Sequence, residues 1–276
     1  FIFIKYEFWF NLMRALQSEH IKYYFVGLHL ERDSYLLRKA FKTLTRLIKS
    51  ADGIYTHSKN AYAILAEKSF RNIEVFGDMR ISQVLVNKEE DLINLKWPRE
   101  GCKCMIYGSV SKYELPYILK IIKNNPQHNH ILALHDVEKE LMQIIAEAGI
   151  SPSYISESKN SSSNCLVVDS YGELKYLYRL ADVAYVGGGF EKGPHNILEA
   201  LVFETPVIIG PHIKKFPLAR EASKRGLVKV IPEIEELEKQ LIKFTKSDKK
   251  IEKAELKRFF DDFATDEQSL AEIILK

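Results

Sequence analysis

The chain has 276 residues, 46% hydrophobic and 28% charged, with a formal net charge of +3. That composition excludes a disordered or fibrous chain, and the length suits one large or two ordinary domains. A balance so near neutrality predicts no nucleic-acid partner, and no stretch reaches the roughly 20 apolar residues of a membrane-spanning helix.

The first elements in chain order are a strand at Phe1–Lys5, a helix at Phe8–Ser18 and a strand at Lys22–Leu28. A long helix is expected over Asp33–Lys49, with Leu36, Leu37, Ala40, Phe41, Leu44 and Ile48 on one side and Arg38, Lys39, Lys42, Arg46 and Lys49 on the other. A strand at Gly53–His57, a helix at Asn60–Lys68 and a strand at Ile73–Phe76 complete the first series. The opening run Phe1-Ile2-Phe3-Ile4 reads as a strand buried on both faces. With no Met before it, it predicts that the first elements of the domain lie upstream of this sequence.

The polar stretch Lys88–Gly101 reads as a linker, or as a helix leading into one. A second alternating series follows. Its expected strands are Lys103–Tyr107, Ile131–His135, Cys165–Val168 and Val183–Val186. Its expected helices are Tyr113–Lys123, Glu138–Ala148 and Glu173–Leu180. The tail, Ile234–Phe244 and Lys253–Ile274, reads as amphipathic helix. Alternation of strand and helix in both halves predicts a parallel α/β fold. The three cysteines, Cys102, Cys104 and Cys165, are odd in number and lack a nearby His/Cys pair. They read as reduced thiols rather than a disulfide or zinc site.

The most informative segment is Gly187-Gly188-Gly189-Phe190-Glu191-Lys192-Gly193-Pro194-His195-Asn196-Ile197-Leu198-Glu199. It lies between an apolar strand and Thr205-Pro206-Val207-Ile208-Ile209-Gly210. Glycine lets backbone approach a bulky ligand, and a following helix start suits a phosphate. Pro194 is expected at the first helical position. Ile197, Leu198, Leu201 and Val202 then form the apolar face, and His195, Asn196 and Glu199 the polar one. Glu199 is placed to accept ribose hydroxyls. The bland alternative is a glycine-rich surface loop in an ordinary βαβ unit. The spacing is not the G-x-G-x-x-G of a nicotinamide site. Gly108-Ser109, His135 and Asp169–Glu173 fall at neighbouring strand ends. His135 alone also suits a surface histidine, and Gly172-Glu173 a plain helix start.

Set in order, these motifs resemble the 3-deoxy-D-manno-octulosonic acid (Kdo) transferase family. Gly187-Gly188-Gly189 with His195-Asn196-Ile197-Leu198-Glu199 is similar to the family's Gly-Gly-x…Gly-x-His-Asn-x-Leu-Glu pattern. Lys5-Tyr6-Glu7-Phe8-Trp9-Phe10-Asn11-Leu12, Gly77-Asp78-Met79-Arg80, Asp169-Ser170-Tyr171-Gly172-Glu173-Leu174 and Pro206–His212 resemble its other segments. The resemblance implies a GT-B fold of two Rossmann-like domains facing a cleft, with the first domain incomplete. The expected division is 1–90, the acceptor-side domain; 91–262, the CMP-Kdo-binding domain; and 263–276, a C-terminal helix. It also implies transfer of Kdo from CMP-Kdo to a lipid A precursor, lipid IVA, at the cytoplasmic face of the bacterial inner membrane. Neither a cofactor nor a metal is implied.

By position, Gly188, Gly189 and the Asn196 helix start are expected to hold the CMP phosphate, with His195 among the donor-binding residues. Glu199 falls to the ribose, and Gly172 and Glu173 to the cytosine. Arg80, Ser109 and His135 fall to the donor's phosphate or carboxylate, and Glu7 to the cleft. The family's general-base Glu is expected upstream of residue 1. Departures from the pattern include Ser109-Val110-Ser111-Lys112 for Ser-Thr-x-x-Glu, Leu134-His135 for an Arg-bearing segment, and Ser82 for Asp. The rival readings are a GT-B enzyme using a UDP-sugar, an NAD-binding oxidoreductase, and a non-catalytic nucleotide-binding fragment.

Overall fold

The computed structural model describes residues 1–5, 7–90, 101–157, 163–247 and 251–265. The chain divides into two compact units, Phe1–Gln83 with Arg258–Lys276, and Val84–Lys257.

The first unit contains β1 (Ile2–Ile4), α1 (Phe10–Ser18), β2 (Tyr24–Val26), α2 (Lys42–Lys49), β3 (Gly53–Thr56), α3 (Lys59–Glu67), β4 (Ile73–Val75) and the start of α4 (Met79–Glu89). Its four strands are all parallel, in the order β1-β2-β3-β4. Register places Phe3 beside Phe25 and Phe25 beside Ile54. This row, with Met13, Leu16, Ile48 and Leu65, makes the core on one face of the sheet. Tyr24, Val26, Tyr55 and Phe76 cluster separately. α3 starts where Ser58 Oγ accepts the N–H of Ala61 at 3.2 Å, a side-chain N-cap.

Two expectations for this unit fail. The first strand is not buried on both faces: Phe3 is buried, but Phe1, Ile2 and Ile4 are exposed, because β1 has only β2 beside it among the described residues. The single helix over Asp33–Lys49 is also broken. Two short 3-10 turns, Tyr35–Leu37 and Lys39–Phe41, precede α2, with Arg38 extended between them. The Thr45 hydroxyl donates to the carbonyls of Leu36 and Phe41, competing with regular helical pairing.

The second unit contains β5 (Cys104–Val110), α5 (Leu115–Asn124), β6 (Asn129–Leu134), α6 (Lys139–Glu147), β7 (Ser153–Tyr154), β8 (Cys165–Val168), α7 (Leu174–Leu177), β9 (Val183–Val186), α8 (Leu198–Leu201), β10 (Val207–Ile209), α9 (Pro217–Lys224), β11 (Val228–Val230), α10 (Leu237–Lys246) and the start of α11 (Lys253–Phe263), whose end belongs to the first unit. Its seven strands are parallel, in the order β11-β10-β9-β5-β6-β8-β7. From β5 the chain builds outward through β6 and β8, then returns to β9 on the other side. The order therefore reverses between β5 and β9, where doubly wound sheets bind ligands beyond the strands' carboxyl ends.

The central strands bury nearly every side chain, as their apolar runs predict. The polar exceptions are paired. His130 Nε2 donates to the Asn125 carbonyl (2.8 Å), and its Nδ1 pairs with the Tyr107 hydroxyl (3.1 Å). All three cysteines are free thiols, and burial pushes the Cys165 thiol up to about 12.

α4 begins at Met79, well before the expected linker. Most of that linker, 91–100, lies outside the described residues, as does the tail helix beyond residue 265. β7, α9 and β11 also carried too few patterned residues to be foreseen.

Candidate donor site at the strand switch point

Two turns meet where the strand order reverses. Tyr107-Gly108-Ser109-Val110 ends β5 with a register irregularity, and Ser109 sits there at φ +54°. Gly187-Gly188-Gly189 follows β9, and the Gly187 N–H donates to the Gly108 carbonyl at 2.8 Å. Gly188 has φ +85°, a conformation that glycine tolerates and most residues do not. At Gly189 a Cβ would stand 2.5 Å from the backbone nitrogen of Gly210, so two backbones touch there.

A residue absent from the sequence expectations organises this junction. Glu114, fully buried, accepts the Gly188 N–H through both oxygens (2.9 and 3.1 Å), the Tyr185 hydroxyl at 2.6 Å and the Ser111 N–H at 3.0 Å. The Gly188 N–H expected at a phosphate is thus already paired within the protein. Glu114 opens an apolar helix five residues after Ser109; that position was the only signal available in the sequence.

The segment after the turn is not helical from Pro194. The chain at Gly193–Asn196 is irregular, with His195 N–H bonded to the Gly187 carbonyl at 3.1 Å, and regular helix is confined to Leu198–Leu201. Asn196 ends the irregular stretch: its Oδ1 accepts the Leu198 N–H (3.3 Å) and its Nδ2 donates to Glu199 Oε1 (3.0 Å). The expected apolar face is present, with Ile197, Leu198, Leu201 and Val202 all buried. Asn196 and Glu199 do come together, whereas His195 turns away from them and stacks on His135. Those ring centroids are 4.1 Å apart at 24°.

The electrostatics follow from burial. Desolvation lifts the Glu199 carboxyl above its usual value, opposed by the Asn196 hydrogen bond and by Lys175. Desolvation lowers the half-buried His195 imidazole, the neighbouring His135 lowers it further, and Glu114, Asp136 and Glu191 oppose both. Gly172 has φ +101° and open space around it, and Glu173 next to it begins α7. Glu173 Oε2 is buried without a partner.

Two family descriptions fit this chain in order. The model for 3-deoxy-D-manno-octulosonic-acid transferase (kdotransferase) matches residues 1–83, and that for glycosyl transferases group 1 matches residues 153–257. These matches, with the curated relatives, support the Kdo transferase family for this chain. Among its curated relatives, the 3-deoxy-D-manno-octulosonic acid transferase of Rickettsia typhi is 26% identical over 78% of this chain and 48% of the relative. That of Chlamydia pneumoniae is 34% identical over 51% of this chain and 34% of the relative. The chain thus spans about half or less of the curated relatives it matches.

Solved structures agree on the fold. The C-terminal CMP-Kdo binding domain of WaaA from Acinetobacter baumannii is 20% identical, with a TM-score of 0.50 over 67% of this chain and 96% of that one. UDP-GlcNAc 2-epimerase from Neisseria meningitidis is 13% identical, with a TM-score of 0.58 over 96% of this chain and 72% of that one. The fold class is GT-B, with Rossmann-like α/β units.

The other residues expected at the site, Glu7 and Arg80, lie in the first unit. Glu7 is exposed and accepts the Trp9 indole N–H at 2.7 Å. Arg80 forms a two-pronged pair with Asp78 (2.9 and 2.6 Å). Burial works to raise the Asp78 carboxyl, but the Arg80 hydrogen bonds and charge, with Lys5, hold it below its usual value. Among the described residues no His/Cys/Asp/Glu group converges on a metal position, and no helix is long and apolar enough to cross a membrane.

Proposed function

We propose that this chain is the donor-binding part of an enzyme that transfers Kdo from CMP-Kdo to a lipid A precursor during lipopolysaccharide synthesis, at the cytoplasmic face of the inner membrane, the general base being supplied by another segment. The observation that carries the reading is one junction in the second unit. A tight glycine turn at the β5/β9 switch point is followed at once by the Asn196–Glu199 pair and flanked by the His135–His195 stack.

In this reading Glu199 accepts the two ribose hydroxyls, as a carboxylate with spare lone pairs can. The nucleotide phosphate lies against Gly189 and His195, because the Gly188 N–H is held by Glu114. Ser109 and His135 adjoin the donor's phosphate or carboxylate, and the Gly172-Glu173 backbone reads the cytosine. The leaving CMP is stabilised by fixed polar groups, and a base removes the acceptor hydroxyl proton as the glycosidic bond forms.

The test is a thermal-shift and calorimetric comparison of CMP, UDP and UDP-GlcNAc, since a ligand that binds only the folded state raises its melting temperature. CMP is expected to bind at least tenfold more tightly than UDP. Preference for UDP or its sugar would replace this reading with a UDP-sugar transferase.

A further inference from the structure

Buried polar groups in folded proteins are, with few exceptions, paired. At the carboxyl edge of the first unit's sheet, three adjoining side chains are not. The ring nitrogens of His57, Nδ1 of His29 and the hydroxyl of Thr56 are shielded from solvent and have no hydrogen-bond partner in another residue, His57 having only its own backbone within reach. His57 is 8% exposed, His29 5% and Thr56 0%. The two imidazoles stack with centroids 4.7 Å apart, and the other His29 nitrogen meets Glu31 at 3.0 Å.

The groups around them come from the ends of all four strands. Lys5 follows β1, His29 follows β2, Thr56 ends β3 with His57 just after it, and Asp78 and Arg80 follow β4. Lys5 lies against the backbone of Gly27, just past β2. Asp78 and Arg80 act electrostatically on both Lys5 and His57, so these charges share one neighbourhood. Ligands of open parallel sheets bind beyond strand carboxyl ends such as these. The His130 core histidine, with both nitrogens satisfied, shows what a purely structural imidazole looks like in this protein.

The ligand chemistry follows from the charge states. Burial, then the neighbouring His29, bring the His57 imidazole down to about 4. At neutral pH the ring therefore offers one N–H and one lone pair, and the Thr56 hydroxyl likewise donates and accepts. A bare anion accepts only, and would face the ring's lone pair unfavourably. Hydroxyl groups match both functions. The paired Asp78 and Arg80 both act on His57, and Lys5 lies beside that pair as the cation not bound within it.

We propose that His57, His29 and Thr56 form a subsite for the hydroxyl groups of a sugar that carries an anionic substituent, with the substituent directed to Lys5. The proposal rests on the reading above that the substrates are saccharides. It adds residues that no recognised motif of this chain contains.

The test is NMR of the whole chain with labelled histidines, the ring signals assigned through His29→Phe and His57→Phe. The probes are glucosamine 1-phosphate, free Kdo, inorganic phosphate and glucose. At least one of the first two is expected to shift the His57 signals saturably, and which one does separates a phosphosugar from a sugar acid. Phosphate alone and glucose alone should bind at least tenfold more weakly. His57→Phe, which keeps a ring on His29, should weaken binding at least tenfold; His57→Asn serves if the Phe variant does not fold.

Silence of His57 toward every probe would overturn the proposal and leave the gap to ordered water. CMP added to the same sample reads His135 and His195 independently. Shifts there with a silent His57 would sink the subsite alone. Shifts at His57 without any at His135 and His195 would sink the donor assignment alone.

Discussion

The Glu114 carboxylate holds Gly188 through both its oxygens, 2.9 and 3.1 Å from the amide nitrogen, and so ties the end of β9 to the start of α5. A buried carboxylate here stabilises a turn whose backbone N–H and neighbouring Tyr185 hydroxyl would otherwise lack acceptors. Glu114→Ala should cost on the order of 3–5 kcal/mol, the range for breaking a buried charged network. Glu114→Gln should cost less, because one oxygen remains. Urea denaturation measures both, and an alanine variant within about 1 kcal/mol of the parent, inside ordinary surface-mutation scatter, would refute the role.

Glu199 is the sharpest test of the donor site. Its carboxyl is raised by burial and only partly compensated by Asn196 and Lys175, so the free protein gains little from it. Glu199→Ala should leave the melting temperature unchanged or higher, yet weaken CMP binding at least tenfold. Calorimetry showing unchanged CMP affinity would remove Glu199 from the ribose position.

The parallel α/β class and most strands were legible, because buried parallel strands such as Cys165–Val168 and Val183–Val186 are unbroken apolar runs. The chemistry-bearing positions were legible as residue types but not as partners. His135 and His195 are 60 positions apart, and nothing local announces that their rings stack. Pro194 after Gly193 looked like a helix start because Pro suits that position. The amide of Asn196, which caps Leu198, moved the true start four residues on. Glu114 was invisible for a related reason: its carboxylate is satisfied by groups 3, 71 and 74 positions away. The stacked His29 and His57 were equally hidden, since only the parallel register of β1 to β4 brings Lys5, His29, His57 and Asp78 to one edge.

His57 makes the first unit acid-sensitive in a defined window. Its imidazole is lowered from an ordinary 6.5 to about 4 in the folded protein. Between those values the unfolded chain takes up a proton that the folded chain refuses, so stability falls as pH drops through 6.5 and stops falling near 4. A shift of this size corresponds to roughly 3 kcal/mol. Asp78 acts in the same direction lower down: its depressed carboxyl stabilises the fold above the ordinary carboxylate range, and that contribution disappears as pH falls through the folded value. Unfolding free energies at pH 7.5 and 4.5 should differ less in His57→Phe than in the parent. Equal differences in the two proteins would show that this histidine does not titrate as described.

The broken helix before α2 gives the membrane proposal a concrete surface. Tyr35 and Phe41 are 50% and 38% exposed, with their rings in edge contact at 5.0 Å, and Arg38, Lys39 and Lys42 beside them are exposed. A continuous helix would have spread the basic residues along one face. The two 3-10 turns instead gather exposed aromatic and basic groups within eight residues. Interfacial aromatic rings and cations near anionic headgroups suit a bilayer surface, each cation contributing about 1 kcal/mol. Reversing Arg38, Lys39 and Lys42 to Glu should therefore reduce binding to vesicles containing anionic lipid by roughly 100-fold or more, from about 3 kcal/mol of lost attraction. Tyr35→Ser with Phe41→Ser should weaken it less and without the salt dependence. Flotation with vesicles of neutral and anionic composition measures both, and equal partitioning of the charge-reversed and parent chains would leave this face as a solvated surface.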